Sequence, residues 1–438
     1  MYKVFYLTFG CKVNQYETEC LKAVFSEKGF AAVTMPSEAD VIVVNSCTVT
    51  SSGDSKSLYA VRKLRRERPE AVIVLTGCLP QTSEKLRDEL TEADIITGTR
   101  DRCSIPDLVL DFIENRSRTV FVREYGRNDS FETMPCGSIS GKTRAFVKIQ
   151  DGCDRFCSYC IIPYSRGRCR SKPIESLRTE IASLAEAGHR EIVLVGINLA
   201  FYGREFGLRL ADAVELCCGI DGVERVRLGS LEPEEITDSD LERLAAQSKF
   251  CPQFHLSLQS GCNRTLKAMN RRYTAEEYME LVKKIRLRFP DCAFTTDMMT
   301  GFPTETDEDF EESMRFAEAV GFAKIHVFQY SPREGTPAAR MPQLPKKVKS
   351  ERADRLKALS AQLHEEYLKS RVGATVPVLF EQENSPDFHQ GYAPDYTLIK
   401  IARKNSKKSL RNSIFYVKIE EYRSDYCIGS IVPENSPY

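Results

Sequence analysis

The chain has 438 residues, with 62 basic and 62 acidic side chains and no formal net charge. This balance excludes whole-molecule attraction to nucleic acid, so any polyanion contact has to come from local patches. The 16 Cys are too sparse for a disulfide scaffold, and no run approaches the roughly 18 apolar residues of a membrane span. The first residues begin a strand directly, without the charged and apolar segments of a signal peptide. We expect two or three domains in a reducing, cytoplasmic compartment.

The first part of the chain alternates short apolar runs with amphipathic stretches. Apolar runs at residues 4–10, 41–46 and 72–77 predict strands, and helical spacing at residues 17–28 and 56–67 predicts two helices. β-Branched strands that alternate with helices are typical of a parallel, doubly wound sheet. We expect this α/β domain to cover residues 1–135.

A cysteine follows each of these three predicted strands at once: Cys11, Cys47 and Cys78. The carboxyl ends of the strands in a parallel sheet lie along one edge, so we expect the three thiols to converge there. A single Cys is more commonly an inert buried residue, and Cys20 and Cys103, which lack this placement, are interpreted that way. Three cysteines at equivalent positions predict a three-thiolate site.

A second set of three cysteines has the spacing Cys-x-x-x-Cys-x-x-Cys at Cys153, Cys157 and Cys160. Three thiolates on one tight loop can hold three corners of a [4Fe-4S] cluster and leave the fourth iron open for chemistry. The alternative is a zinc knuckle or a disulfide pair. Zinc sites usually close with a fourth ligand at short range, and the nearest candidates here are Cys169 and His189. The spacing therefore favours the cluster.

From residue 144 onward a pattern of strand then helix repeats. The predicted strands cover residues 145–149, 191–196, 225–229, 254–258, 294–299 and 324–330, and the predicted helices cover residues 174–187, 208–217, 237–246, 275–289 and 307–320. These units are too few to close an eight-stranded barrel, so we predict a partial (βα)6 barrel. We expect this domain at residues 140–370, with functional residues at the carboxyl ends of its strands.

Polar, glycine-containing segments follow these predicted strands, which suits close approach of the backbone to a small cofactor. Turn formation explains each residue alone equally well, but their common position on one rim favours a binding pocket. The residues predicted to line it are Tyr159, Gly196, Asn198, Ser230, Glu232, Gln259, Ser260, Gly261, Asp297, Gly301, Pro303 and Tyr330. Arg271, Arg272 and Arg333 are candidates for contact with a carboxylate or phosphate, the alternative being surface salt bridges.

The last part of the chain changes character after a long helical stretch at residues 346–371. Short runs of alternating polarity at residues 376–380, 397–401 and 414–419 predict a small antiparallel β-barrel of about five strands, at residues 371–438. A basic segment interrupts it, formed by Lys400, Arg403, Lys404, Lys407, Lys408 and Arg411. Such a segment is either a solvated loop or a contact for a phosphate backbone.

The triplet of Cys153, Cys157 and Cys160, with Tyr159 before its last cysteine, resembles the radical S-adenosylmethionine (SAM) superfamily. The resemblance implies that the open iron binds SAM and that the polar rim is a SAM pocket. Together with the N-terminal cysteines and the small barrel, the chain resembles the methylthiotransferases over essentially its whole length. By that resemblance Cys11, Cys47 and Cys78 hold an auxiliary [4Fe-4S] cluster that carries or relays sulfur, and the last domain is an RNA-binding TRAM domain.

Within this family, the segment at residues 10–17, GCKVNQYE, resembles the branch that acts on threonylcarbamoyl-adenosine of tRNA. The implied reaction is methylthiolation at C2 of that adenosine beside the anticodon, in tRNAs that read codons beginning with A. An electron donor such as flavodoxin or ferredoxin is implied too.

Several alternatives to this reading stay open. Two belong to the same family and act on isopentenyl-adenosine of tRNA or on an aspartate of a ribosomal protein. The basic segment favours RNA over the protein substrate. Two others belong to different classes: a non-catalytic iron-sulfur electron carrier, which would give four Cys to each cluster, and a zinc-dependent nucleic-acid binding module.

Overall fold

The computed structural model describes residues 1–135, 143–381, 385–403 and 409–433. Its first sheet has six parallel strands in the order β2-β1-β3-β4-β5-β6. The strands are β1 (Lys3–Thr8), β2 (Ala31–Val33), β3 (Val41–Ser46), β4 (Val72–Gly77), β5 (Ile95–Thr97) and β6 (Thr119–Phe121). The helices are α1 (Lys12–Glu27), α2 (Ser51–Glu67), α3 (Cys78–Thr82), α4 (Glu84–Glu89) and α5 (Ile105–Asn115).

The central strands of this sheet are buried on both faces. In β3, Val41 and Val43 belong to one apolar cluster while Ile42 and Val44 belong to another. Successive side chains of a strand point to opposite faces, so a strand without polar alternation needs a covering layer on each side. The parallel, doubly wound sheet predicted from the sequence is confirmed.

The middle of the chain forms six parallel strand positions, because β11 and β12 are one strand interrupted at Gly229. The strands of this region are β7 (Arg144–Lys148), β8 (Gln150–Asp151), β9 (Arg170–Ser171), β10 (Glu191–Val195), β11 (Arg225–Leu228), β12 (Ser230–Leu231), β13 (Gln253–Leu256), β14 (Ala293–Thr300) and β15 (Lys324–Gln329). Of these, β8 and β9 form a separate antiparallel pair outside the six positions. The helices are α6 (Ile162–Arg166), α7 (Ile174–Glu186), α8 (Leu210–Cys218), α9 (Asp238–Ala245), α10 (Asn263–Ala268), α11 (Ala275–Arg288), α12 (Asp307–Val320) and α13 (Lys346–Ser370). The predicted partial barrel is confirmed.

One face of these strands packs in an apolar layer, and the other faces the lumen of the partial barrel. Ala145 and Val147 of β7 pack in the main apolar cluster with Ile192 and Leu194 of β10. The alternate residues of β10, such as Glu191, therefore face the lumen. Val193 and Val195 lie on that side too and pack with Phe146 and Val13, so the lumen has both charged and apolar parts.

A small closed barrel follows, with strand order β16-β17-β18-β20-β19. Its strands are β16 (Thr375–Phe380), β17 (Phe388–Tyr392), β18 (Leu398–Ala402), β19 (Ile414–Tyr422) and β20 (Cys427–Ile431). The predicted small barrel is confirmed, and its pairs are antiparallel except that β18 and β20 run parallel. This barrel covers the amino-terminal end of the larger one: Arg225 donates to the Tyr392 carbonyl at 2.8 Å and Arg227 to the Pro394 carbonyl at 2.7 Å.

Within the described residues, no helix has both the length and the apolar character needed to cross a membrane.

Candidate active site

The three N-terminal cysteines converge at the carboxyl edge of the first sheet. Cys11 caps the start of α1, Cys47 follows β3, and Cys78 begins α3 after β4. Burial and the neighbouring thiols of Cys78 and Cys11 together raise the pKa of Cys47 to about 11. Sγ of Cys11 lies 3.8 Å from Oδ1 of Asn14, and Arg166 contacts both that oxygen and Sγ of Cys78, so these two thiols share their neighbours.

The backbone around these thiols is packed so closely that a Cβ atom does not fit at two positions. Gly10 has φ +101°, and a Cβ placed on it would lie 2.7 Å from Cβ and 3.0 Å from Sγ of Cys47. Gly77 has φ +103°, and a Cβ there would lie 2.4 Å from the Ser46 carbonyl oxygen. Three thiols in a glycine-lined cradle fit a [4Fe-4S] cluster, whose irons are held by thiolates. Binding requires the thiols to lose their protons, and ligation supplies the free energy for that.

Arg166 connects this site to the rest of the protein. Its Nε donates to Sγ of Cys78 at 3.3 Å, and its Nη2 donates to Oδ1 of Asn14 at 2.8 Å and to Oε2 of Glu17 at 3.0 Å. Glu17 also pairs with Lys148 at 2.9 Å, and the side chains of Glu17 and Arg166 are fully buried. The positive charges of Arg102, Arg166 and Lys148 hold the pKa of Glu17 at about 2, although burial alone would raise it. The first domain and the partial barrel are therefore joined by a buried ionic network beside the auxiliary thiols.

The second three-cysteine set lies on a tight loop after β8. The Cys153 amide donates to the Gly167 carbonyl at 3.0 Å, and the Cys160 amide donates to the Cys157 carbonyl at 2.9 Å. Phe156, in the loop, has φ +46°. Burial raises the pKa of Cys160, and the Cys157 and Cys153 thiols raise it further. The loop therefore gathers its three thiols, a donor set that fits three corners of a [4Fe-4S] cluster.

Two side chains from the partial barrel donate to these thiols. Arg271 donates to Sγ of Cys157 at 3.4 Å and is held by Glu232 at 3.3 Å, while Nδ2 of Asn198 lies 3.7 Å from Sγ of Cys153. Positive charge and N–H donors near cluster sulfurs tune the reduction potential of the cluster. Cys169, a possible fourth ligand in the sequence, is directed to the Gly152 carbonyl at 3.7 Å.

A cavity of about 160 Å³ lies between the two thiol sites. Its lining includes Cys160 on one side and Val49 and Thr50, which follow Cys47, on the other. Four residues predicted for the SAM pocket line it as well: Tyr159, Gln259, Asp297 and Tyr330.

The other predicted pocket residues have different positions. Asn198 and Glu232 stand beside the cluster thiols, as described, and Ser230 is exposed. Ser260 and Gly261 are tied to Ser313 of α12 at 3.0 and 3.1 Å. A Cβ on Gly196 would meet Gln150 at 3.0 Å, one on Gly301 would meet Lys349 at 2.5 Å, and Pro303 is buried. Their contact with SAM stays a prediction.

The three arginines predicted to bind anions have different surroundings in the structure. Arg271 donates to Cys157 of the cluster loop, as described, and Arg272 is exposed. Arg333 is bound by Thr48 and Asp54 of the first domain. Arg333 therefore joins the barrel rim to the first domain.

Several functional groups were missed from the sequence. Arg166 and Glu17 look like ordinary surface charges in their local patterns, and only the folded chain pairs them. His255 and His326 were missed too; they lie on β13 and β15 on either side of the predicted residue Asp297 of β14, with ligand atoms within 4.8 Å of one another. Their inward positions in alternating strands were the available signal.

Comparison with known proteins agrees with this geometry. Residues 147–317 match the family model described as Radical SAM superfamily, and residues 3–98 match Uncharacterized protein family UPF0004. A Bacillus subtilis threonylcarbamoyladenosine tRNA methylthiotransferase MtaB is 37% identical over 99% of this chain and 97% of its own. The Thermotoga maritima protein of that name is 38% identical over 85% of each chain.

Relatives with a second substrate name also match. An Oceanobacillus iheyensis tRNA-2-methylthio-N(6)-dimethylallyladenosine synthase is 35% identical over 98% of this chain and 84% of its own. Among solved structures, the radical SAM methyltransferase TsrM of Kitasatospora setae is similar with a TM-score of 0.58 and 15% identity over 77% of each chain, which is a similarity of fold.

Fold and site together define a radical SAM enzyme with a second iron-sulfur site. The chain belongs to the methylthiotransferase family of these enzymes, and the family predicted from the sequence is confirmed. Its cofactors are SAM and two [4Fe-4S] clusters, as predicted.

Proposed function

We propose that this enzyme methylthiolates C2 of N6-threonylcarbamoyladenosine beside the anticodon of tRNA, replacing a C2–H bond by a C2–SCH3 bond. One observation carries the proposal: the cavity beside Cys160 is closed on its other side by Val49 and Thr50 of the auxiliary site. A base in this cavity is within reach of both sites. Relatives named for this substrate match at 37% and 38% identity.

The roles of individual residues follow from their positions. Cys153, Cys157 and Cys160 would hold the cluster, which with SAM bound would supply one electron for reductive cleavage of SAM, with methionine as the leaving group. Cys11, Cys47 and Cys78 hold the auxiliary cluster in the proposal. Met299, Phe328 and Tyr330 form an apolar side of the cavity that excludes water. Exclusion of water protects a reactive species from side reactions.

A wide groove of about 900 Å³ supports a macromolecular substrate. Phe156 and Tyr164 line it, 49% and 53% exposed, with their rings 5.9 Å apart and nearly perpendicular. Exposed aromatic rings stack on unpaired bases. The basic side chains in its lining are Lys85, Arg87, Arg127, Arg168 and Arg333. We assign this groove to the anticodon loop.

The small C-terminal barrel is proposed as a second RNA contact. Lys400, Arg403 and Arg411 of its basic segment are described, whereas Lys404, Lys407 and Lys408 lie outside the described residues. In this proposal the auxiliary-cluster domain is residues 1–135, the radical SAM domain 140–370 and the TRAM domain 371–438. The enzyme acts in the cytoplasm and receives electrons from a flavodoxin or ferredoxin.

The test is mass spectrometry of nucleosides from tRNA of cells with and without this protein. We expect the methylthio derivative of threonylcarbamoyladenosine to disappear without the protein and to return with it. A change confined to the methylthio derivative of dimethylallyladenosine would assign the enzyme to the other substrate. No change in either nucleoside would contradict a tRNA substrate and direct the search to ribosomal proteins.

A further inference from the structure

The lumen of the partial barrel holds a lysine that forms no ion pair with any described residue. Lys12 follows Cys11 directly and points into the barrel, where its Nζ lies 5.9 Å from the Phe146 ring and 6.0 Å from the Tyr396 ring. Among the described residues, no carboxylate forms an ion pair with Lys12 and no acceptor takes a hydrogen bond from it. Lys12 is nonetheless accessible to solvent. An ammonium group in such a position is available to a ligand.

The other lumen charges near Lys12 have partners. Arg227 donates to Oε1 of Glu191 at 2.8 Å, and Arg225 lies 3.7 Å from Oε2 of the same carboxylate. Arg144 pairs with Glu381 of the small barrel. Glu191 is the carboxylate whose charge acts on Lys12, but it is already paired with Arg227 and Arg225, so none of the described carboxylates forms an ion pair with Lys12.

The side of the lumen toward the cavity adds further nitrogen donors. His326 is exposed there, and its ring lies 5.7 Å from the ring of His255. The carboxylate there, Asp297, has His255 as its neighbour, with Nε2 and Oδ2 3.4 Å apart. Asp297 lies opposite His326 in the sheet register and also lines the cavity beside Cys160. Lys12 reaches the lumen from the auxiliary side, since it follows Cys11 and precedes Val13, which packs with Val193 and Val195 of β10.

We propose that Lys12, assisted by His326, binds the carboxylate of the threonylcarbamoyl group and thereby selects the substrate. This inference rests on the proposed function. The threonylcarbamoyl group carries an anionic carboxylate, whereas the dimethylallyl group of the alternative substrate is an uncharged hydrocarbon. An ammonium group without a partner gains a charge-assisted hydrogen bond from the first and nothing from the second. Lys12 therefore discriminates between the two substrates through a charged hydrogen bond that only the carboxylate accepts.

The test pairs a change in the enzyme with a change in the substrate. One tRNA carries threonylcarbamoyladenosine, and a second carries the same nucleoside with its carboxylate converted to a primary amide. Wild-type holoenzyme, Lys12→Gln and Lys12→Arg are compared by kcat/KM for methylthiolation. Lys22→Gln on the same helix is the matched control, because Lys22 is a surface residue paired with Glu19 at 3.1 Å.

We expect the amide substrate to lower the kcat/KM of the wild-type enzyme by roughly 10- to 100-fold, the range for a lost charged hydrogen bond. Lys12→Gln should lower kcat/KM on the natural substrate by a similar factor, mainly through KM, and should show no further loss with the amide. Lys12→Arg should retain most of the discrimination, and Lys22→Gln all of it. Iron content and the EPR signals of the reduced clusters verify that each variant carries both clusters.

Two results would overturn the assignment. If the wild-type enzyme has equal activity on the carboxylate and amide substrates, no residue recognises the carboxylate. This comparison does not depend on the folding of any variant. If Lys12→Gln lowers kcat/KM but still prefers the carboxylate substrate over the amide, another residue recognises the carboxylate. If the wild-type enzyme modifies neither substrate but acts on dimethylallyladenosine, the proposed function itself fails.

Discussion

Nε of Arg166 lies 3.3 Å from Sγ of Cys78, although the two residues belong to different thiol sites. Arg166 ends the helix that follows the Cys153, Cys157 and Cys160 loop, whereas Cys78 is an auxiliary thiol. The same guanidinium is anchored by the buried Glu17 at 3.0 Å. One side chain therefore fixes the relative position of the two cluster sites and also donates to a sulfur of one of them.

Arg166→Lys should make the reduction potential of the auxiliary cluster more negative. The lysine retains a positive charge for Glu17 but lacks the Nε–H that donates to Cys78, and N–H donors to cluster sulfurs favour the reduced state. EPR-monitored redox titration of the loaded protein measures the shift. Arg170→Lys is the control, because Arg170 pairs with Asp151 at 3.2 Å in the same region. An unchanged auxiliary potential in Arg166→Lys would show that the contact has no electronic effect.

Glu17→Gln should lower the free energy of unfolding by about 3–5 kcal/mol, because it leaves buried cations without their counter-ion. The cations are Arg166, Lys148 at 2.9 Å and Arg102 at 3.1 Å. Urea unfolding followed by circular dichroism measures the change. Glu19→Gln, which removes the more exposed pair with Lys22, should cost less than about 1 kcal/mol.

The same network makes the free energy of unfolding depend on pH, and the pKa of Glu17 gives the direction. The pKa of Glu17 lies at about 2 in the folded protein against an ordinary value of 4.5. The ionised carboxylate of Glu17 therefore stabilises the folded state. This stabilisation is complete above pH 4.5 and is lost as the pH falls from there toward about 2. Glu17→Gln should therefore lose less stability than the wild type over that interval, and parallel losses would refute the assignment.

Gly10→Ala should prevent loading of the auxiliary cluster while leaving the other cluster in place. A Cβ at Gly10 would lie 2.7 Å from Cβ of Cys47, closer than such atoms approach. Gly29→Ala is a matched control, because Gly29 also has a positive φ, +82°, but its added Cβ meets nothing within 4 Å. Iron analysis and EPR of the reduced proteins should show loss of one cluster's iron in Gly10→Ala only. Full iron content in that variant would contradict the auxiliary site.

The sequence predicted what local pattern controls. Cys11, Cys47 and Cys78 each follow an apolar run, so strand periodicity alone placed them at one edge of the sheet. The pairing of Arg166 with Glu17 could not be predicted in that way, since two charges 149 residues apart carry no common periodic signal. For the same reason, the sequence does not show that Lys12 lacks an ion pair. That becomes visible only when the neighbouring charges in the lumen are seen to pair with one another. Strand order and rim position are local consequences of pattern, whereas charge pairing across domains requires the fold.

Tyr164→Ala should weaken binding of the anticodon stem-loop of the substrate tRNA by about 1–3 kcal/mol, the contribution of one base stacked on an aromatic ring. Tyr164 is 53% exposed in the groove beside the Cys157 loop, and its ring meets Phe156 edge to face. Fluorescence anisotropy with a labelled stem-loop measures the affinity. Tyr59→Ala is the control, because Tyr59 is 64% exposed on α2 but does not line this groove. Equal affinities of the two variants would remove the anticodon loop from the groove, whereas loss confined to Tyr164→Ala would place an unpaired base against the loop that carries the radical SAM cysteines.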